Sequence, residues 1–200
     1  MNKTKNKNFI ADYFKKISYI ANEINLKEIE AAVKILLTIK KKNSRIFFLG
    51  VGGSAANCSH AVNDFRKLCK IESYNPMDNV SELTARINDE GWDSSLVEWL
   101  KISNLKKSDA IFVFSVGGGS IKKKVSMNLV EAMNFAKKKN SKIISIVGRE
   151  HSYASKVSDV CIKVPYADKN LITPFAESFQ AVIWHCLVSH PFLQVSKTKW

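Results

Sequence analysis

His60 and Asp64 stand four residues apart, the spacing that puts two side chains on one face of a helix. Far along the chain, Glu177 and His185 fall eight apart in TPFAESFQAVIWHCLVSH, a stretch that also reads as a helix. Imidazoles and carboxylates move protons near neutral pH, and both suit zinc as ligands. Read alone, an i,i+4 His–Asp pair also serves as a surface or capping contact. His185, flanked by Ile183, Trp184 and Leu187, also suits a core histidine. His151 and His190 have no partner in the pattern and are expected at the surface.

Two glycine-rich corners share the chain with these residues. The first is Ile46-Phe47-Phe48-Leu49-Gly50-Val51-Gly52-Gly53-Ser54, and the second is Ile111-Phe112-Val113-Phe114-Ser115-Val116-Gly117-Gly118-Gly119-Ser120. In each, a β-forming run is followed by glycines and then by a serine expected to open a helix. Glycine lets the backbone turn sharply and approach a ligand, and a helix start offers free N–H groups and a positive dipole end to an anion. No lysine follows the glycines as a P-loop requires, and no GxGxxG with a later acidic residue marks a dinucleotide site. Two such corners point to a phosphorylated ligand.

The elements that must hold these groups follow from hydrophobic period. Phe9, Ile10, Tyr13, Phe14, Ile17, Ile20 and Ala21, then Ile29, Val33, Ile35, Leu36 and Ile39, recur at spacings of three and four, so residues 1–42 read as helices. They precede any strand and are expected to pack outside the sheet or against another subunit. Strands are predicted at 45–50, 110–115, 142–147 and 160–164, with a weaker one near 71–75. Helices are predicted near 54–70, 80–87, 93–103, 120–139, 151–157 and 174–190. Pro174 suits the first turn of the last helix, and Pro191 would stop it. Continuous Ile, Val and Phe strands separated by helices indicate an α/β fold: a three-layer sandwich around a mostly five-stranded parallel sheet. The chain reads as one domain, 1–200, with its α/β core at 45–190. In such sheets ligands sit beyond the carboxyl ends of the strands, where both corners fall.

Composition narrows the partners. Lys and Arg number 31 against 18 Asp and Glu, a net charge of +13, but the arginines are only Arg45, Arg66, Arg86 and Arg149. The lysines are spread along the chain, with runs at 40–42, 122–124 and 137–139 near helix ends or exposed faces. That is the pattern of a solvated surface, so no nucleic-acid partner is expected, while the field favours an anionic substrate. No run of eighteen apolar residues and no secretory h-region occurs, so a cytoplasmic protein without a membrane partner is expected. Cys58, Cys69, Cys161 and Cys186 lack CxxC spacing and are expected as reduced thiols.

GVGGSAANCSHAVNDF, followed by INDEGWD, FVFSVGGGS and ESFQAVIWH, resembles the SIS (sugar isomerase) fold and, within it, the phosphoheptose isomerases. That family consists of tetrameric enzymes that convert sedoheptulose 7-phosphate to D-glycero-D-manno-heptose 7-phosphate at sites shared between subunits. The resemblance implies sugar contacts at Val51, Gly52, Gly53, Ser54, Asn88 and Asp89, and a phosphate cradle at Ser115, Val116, Gly117 and Ser120. It implies Asp64 as catalytic base, His185 as acid, Glu177 as a further substrate contact, and zinc held by His60, Asp64, Glu177 and His185. It also implies a homo-oligomer, a tetramer in that family. The chain departs from the family at Val51 (usually Asn), at Val116, Gly117 and Gly119 (usually Thr, Ser and Asn), at Asp64 (usually Glu) and at Glu177 (usually Gln). A glycine-rich turn can still bind phosphate through backbone N–H groups. SIS folds also serve as non-catalytic phosphosugar-binding or regulatory proteins, and an isomerase for another phosphosugar fits the same pattern.

Overall fold

The computed structural model describes residues 8–197. Five apolar runs form the strands β1 (Ile46–Leu49), β2 (Ser73–Tyr74), β3 (Ala110–Ser115), β4 (Lys142–Val147) and β5 (Val160–Lys163). They lie in the order β2-β1-β3-β4-β5, and every neighbouring pair is parallel. The helices are α1 (Phe9–Glu23), α2 (Leu26–Lys41), α3 (Gly53–Cys69), α4 (Val80–Glu90), α5 (Ser95–Ile102), α6 (Met127–Lys138), α7 (Tyr153–Val157) and α8 (Ile172–Val188).

Successive strand side chains point to opposite faces, and both faces are apolar. Ile46, Phe48, Phe112, Phe114, Ile144 and Ile146 enter the core beneath α2, α3 and α8. Phe47, Leu49, Ile111, Val113, Ile143 and Val147 enter the one beneath α5 and α6. On the first face, the Phe48 ring lies 5.2, 5.3 and 5.7 Å from those of Phe65, Phe112 and Phe114. All four rings are fully buried, and each such burial contributes about 2–3 kcal/mol. The three-layer α/β sandwich expected from the sequence is therefore the architecture.

The N-terminal helices divide. α2 is capped by Asn25, whose side chain accepts from the Lys27 N–H, and it buries Ala32, Val33, Leu36 and Ile39 against the sheet. It is thus part of a layer rather than outside it. α1 buries only Ile20 fully, and Phe9, Ile10 and Phe14 stay exposed.

Strand order sets where a ligand can enter. After β1 the chain crosses through α3 to β2 on one side, and after β3 it crosses through α6 to β4 on the other. α3 and α6 pack on opposite faces. The gap between the carboxyl ends of β1 and β3 is therefore the topological switch point of the sheet. Both glycine corners border it.

The corners differ from expectation in their serines. α3 begins at Gly53 with Gly52 as its N-cap, so Ser54 is already inside the helix, and its buried hydroxyl faces inward instead of capping. Ser120 does not open a helix. It pairs with Val125 in an antiparallel bridge across a short turn, and α6 starts at Met127 after Ser126, whose φ is +51°. Glycines at 118 and 119, with φ of +66° and +78°, send the chain into that turn before a helix can nucleate.

Candidate active site

The first corner aims α3. A Cβ on Gly50 would lie 2.6 Å from the Ser54 carbonyl oxygen, so only glycine lets β1 hand over so directly to the helix. One and a half turns on, α3 presents His60 and two turns on Asp64, on the face that meets α8. From α8, His185 approaches the same place.

The three side chains converge. His60 Nε2 and His185 Nε2 each lie 3.5 Å from Asp64 Oδ2, and the two imidazole centroids are 5.4 Å apart. Their ligand atoms all fall within 4.8 Å of one another. Asp64 is 8% exposed, whereas both imidazoles are about half exposed. Asp64 Oδ2 also accepts from Trp184 Nε1 at 3.1 Å, and Oδ1 accepts from Asn63 Nδ2 at 3.1 Å. A recessed carboxylate beneath two accessible imidazoles has the donor set of a three-ligand zinc site with an open side, and it is also a set of groups able to pass protons.

Glu177 does not join this group. Its carboxylate lies over Gly53, where an added Cβ would meet Glu177 Oε2 at 2.6 Å. Two turns of α8, about 12 Å of rise, separate it from His185. Of the four expected ligands, the structure brings together His60, Asp64 and His185 and leaves Glu177 at the mouth of the first corner. There, Gly52 and Gly53 are exposed and Val51 is half-buried.

Asn88 and Asp89 were expected in a loop and instead occupy the last turn of α4, because that helix continues to Glu90. The Asn88 amide donates to Asp89 Oδ1 at 2.6 Å, and neither side chain makes a described hydrogen bond or ion pair with the His60–Asp64–His185 group.

Two residues absent from the sequence reading matter here. Gln180, fully buried, donates from Nε2 to Ser54 Oγ at 3.0 Å and accepts at Oε1 from Asn57 Nδ2 at 2.8 Å. Asn57 also donates to the Glu177 carbonyl at 2.9 Å. This network fixes α3 against α8 and so sets where their ligand-bearing faces meet. A glutamine inside the apolar run FQAVIW was its only signal. The second is Asn128, in the first turn of α6. Its Oδ1 accepts from the Leu129 N–H, and its Nδ2 is the one buried side-chain nitrogen without a partner among the described residues.

The second corner is held by its backbone. Ser115 Oγ accepts from the Gly118 N–H at 3.0 Å, the Val116 carbonyl accepts from the Gly148 N–H at 3.0 Å, and the Ala154 N–H donates to the Gly118 carbonyl at 2.8 Å. Ser120 Oγ accepts from the Lys123 N–H at 3.3 Å. Gly117 alone of this loop's glycines has open space where a Cβ would sit, so a ligand can reach its backbone. No described helix is long and apolar enough to cross a membrane.

Comparison with known proteins agrees with this architecture. The chain is 32% identical over 148 residues to the lincomycin biosynthesis protein LmbN of Streptomyces lincolnensis, a match covering 70% of the chain and only about half, 54%, of that relative. It is 27% identical over 159 residues to a phosphoheptose isomerase of Aeromonas hydrophila, covering 76% of this chain and 79% of that one. The phosphoheptose isomerase GmhA of Neisseria gonorrhoeae superposes with a TM-score of 0.77 at 21% identity, over 90% of this chain and 95% of that one. The family model described as the SIS domain matches residues 12–148, which take in the first four strands and both corners, and the chain belongs to that family.

Proposed function

We propose that the protein is an aldose–ketose isomerase of a phosphorylated sugar, with sedoheptulose 7-phosphate as the foremost substrate and D-glycero-D-manno-heptose 7-phosphate as its product. The observation that carries this reading is the meeting of two accessible imidazoles on one recessed carboxylate oxygen beside the switch point. The similarity to phosphoheptose isomerases supports the substrate class.

Isomerisation through an enediol needs a base for the proton on the carbon beside the carbonyl and an acid for the carbonyl oxygen, with the roles then reversed. Asp64 takes the first role and His185 the second. Trp184 occupies one lone pair of Asp64 Oδ2, leaving another for the substrate proton. His60, Asp64 and His185 would hold zinc, which when bound would polarise the carbonyl. Val51, Gly52, Gly53, Ser54 and Glu177 border the sugar at the first corner, with Asn88 and Asp89 contributing from α4 of a neighbouring subunit in a homo-oligomer. Ser115, Val116, Gly117 and Ser120 hold the phosphate, joined by the first turn of α6. The orphan amide of Asn128 there is a donor suited to an anion. Fixing the phosphate at one corner presents the far end of the sugar to the other.

The test is turnover of sedoheptulose 7-phosphate followed by NMR. Asp64→Asn is expected to lower kcat at least about 100-fold, within the range for loss of a general base. Undiminished kcat would remove Asp64 from that role. Thermal stabilisation by the sugar phosphate without any turnover would replace the isomerase with a phosphosugar-binding protein.

A further inference from the structure

Trp184 is among the largest fully buried side chains of the molecule, at 1% exposure, yet its polar edge is not in the core. Its indole N–H donates to Asp64 Oδ2 at 3.1 Å, the same oxygen that both imidazoles approach. Its ring touches both of them, with centroids 5.3 Å from His60 and 4.8 Å from His185. Its other side stacks on Phe114 of β3, at 5.9 Å and 15°. The indole therefore stands between the rigid end of a central strand and all three members of the cluster.

An indole N–H is donor-only and must find an acceptor when buried. Asp64 is the only acceptor given for it. Asp64 has a short side chain on α3, and nothing from its own helix beyond the neighbouring Asn63 fixes its orientation. We infer that Trp184 is the positioning residue of the site: its N–H selects which Asp64 oxygen faces the imidazoles, and its ring is the floor that sets their tilt. Supports of this kind, one step removed from the reacting groups, typically carry a 10- to 100-fold effect on metal affinity or activity.

The inference rests on the isomerase reading for its kinetic consequence but not for its geometry, so two measurements separate them. In wild-type protein the indole N–H resonance of Trp184 is expected to move when Asp64→Asn is introduced. That resonance is identified by its loss in Trp184→Phe or, by elimination, from Phe variants of Trp92, Trp99 and Trp200. Trp184→Phe keeps a ring and removes the N–H. It is expected to bind zinc about 10- to 100-fold more weakly by calorimetry and to lose kcat to a similar degree, with KM for sedoheptulose 7-phosphate changed less than about twofold. An indole resonance indifferent to Asp64→Asn, or a folded Trp184→Phe with wild-type zinc affinity and kcat, would overturn the inference. A wild-type protein with no turnover would defeat the isomerase reading alone, and the resonance would still decide the role of Trp184.

Discussion

The two glycine corners end neighbouring strands and turn the chain by different means. At the first, Gly50 is required by contact: the backbone of Ser54 passes where a side chain would be, and the helix starts at once. At the second, left-handed glycines and backbone hydrogen bonds fold a separate turn, and the helix waits until Met127. One corner is a fixed mount for His60 and Asp64. The other leaves an open glycine backbone, Gly117, and an unpaired amide, Asn128, facing no protein partner. A site can thus divide rigidity from receptivity between two loops of nearly the same composition.

The largest effect should fall on the mount. Gly50→Ala drives a Cβ into backbone that cannot yield, and it is expected to cost about 3 kcal/mol in urea unfolding. A cost below about 1 kcal/mol would mean that the hand-over from β1 to α3 is not as tight as described. Gln180→Leu should cost about 2 kcal/mol, because Ser54 Oγ and Asn57 Nδ2 lose a buried partner. If α3 and α8 separate as a result, zinc affinity should fall with stability.

The second corner should respond in binding more than in folding. Gly117→Ala has room for its methyl group and should change stability by less than about 0.5 kcal/mol. It should nevertheless raise KM for a sugar phosphate several-fold by blocking approach to the backbone. An unchanged KM would move the phosphate elsewhere.

The smallest effect is a chemical readout of the mount. Burial pushes the Cys58 thiol well above its ordinary range and Cys69 up to about 11, both on α3, whereas Cys186 is exposed. At pH 8, iodoacetamide should label Cys186 and spare the other two, since the thiolate is the nucleophile. Gly50→Ala should expose Cys58 to labelling. The raised thiol pKa values stabilise the folded chain fully below about pH 8.5 and lose that contribution as pH rises toward 11, so protection should weaken in that window.

The strands were legible in the sequence because buried parallel strands are near-continuous Ile, Val and Phe, and all five lie where those runs predict. The i,i+4 spacing of His60 and Asp64 placed them together, since a helix makes that a local property. What failed to show was tertiary. Whether a Gly-Ser corner starts a helix depended on the signs of φ at 118 and 119, and three similar glycines conceal that. The eight-residue gap from Glu177 to His185 is ambiguous until the crossing of α3 and α8 decides which turn meets Asp64. Gln180 and Trp184 resembled ordinary core residues, because their polar atoms find partners on another helix.

The placement of α3 and α6 on opposite faces of the sheet has a consequence for how such a molecule diversifies. The helix carrying the reacting groups and the helix beneath the anion-facing turn share no packing layer. Substitutions in one corner should therefore combine additively in free energy with those in the other. A six-residue elaboration such as Ser120–Val125 can then arise at the tail end of the ligand without retuning the chemistry at its head.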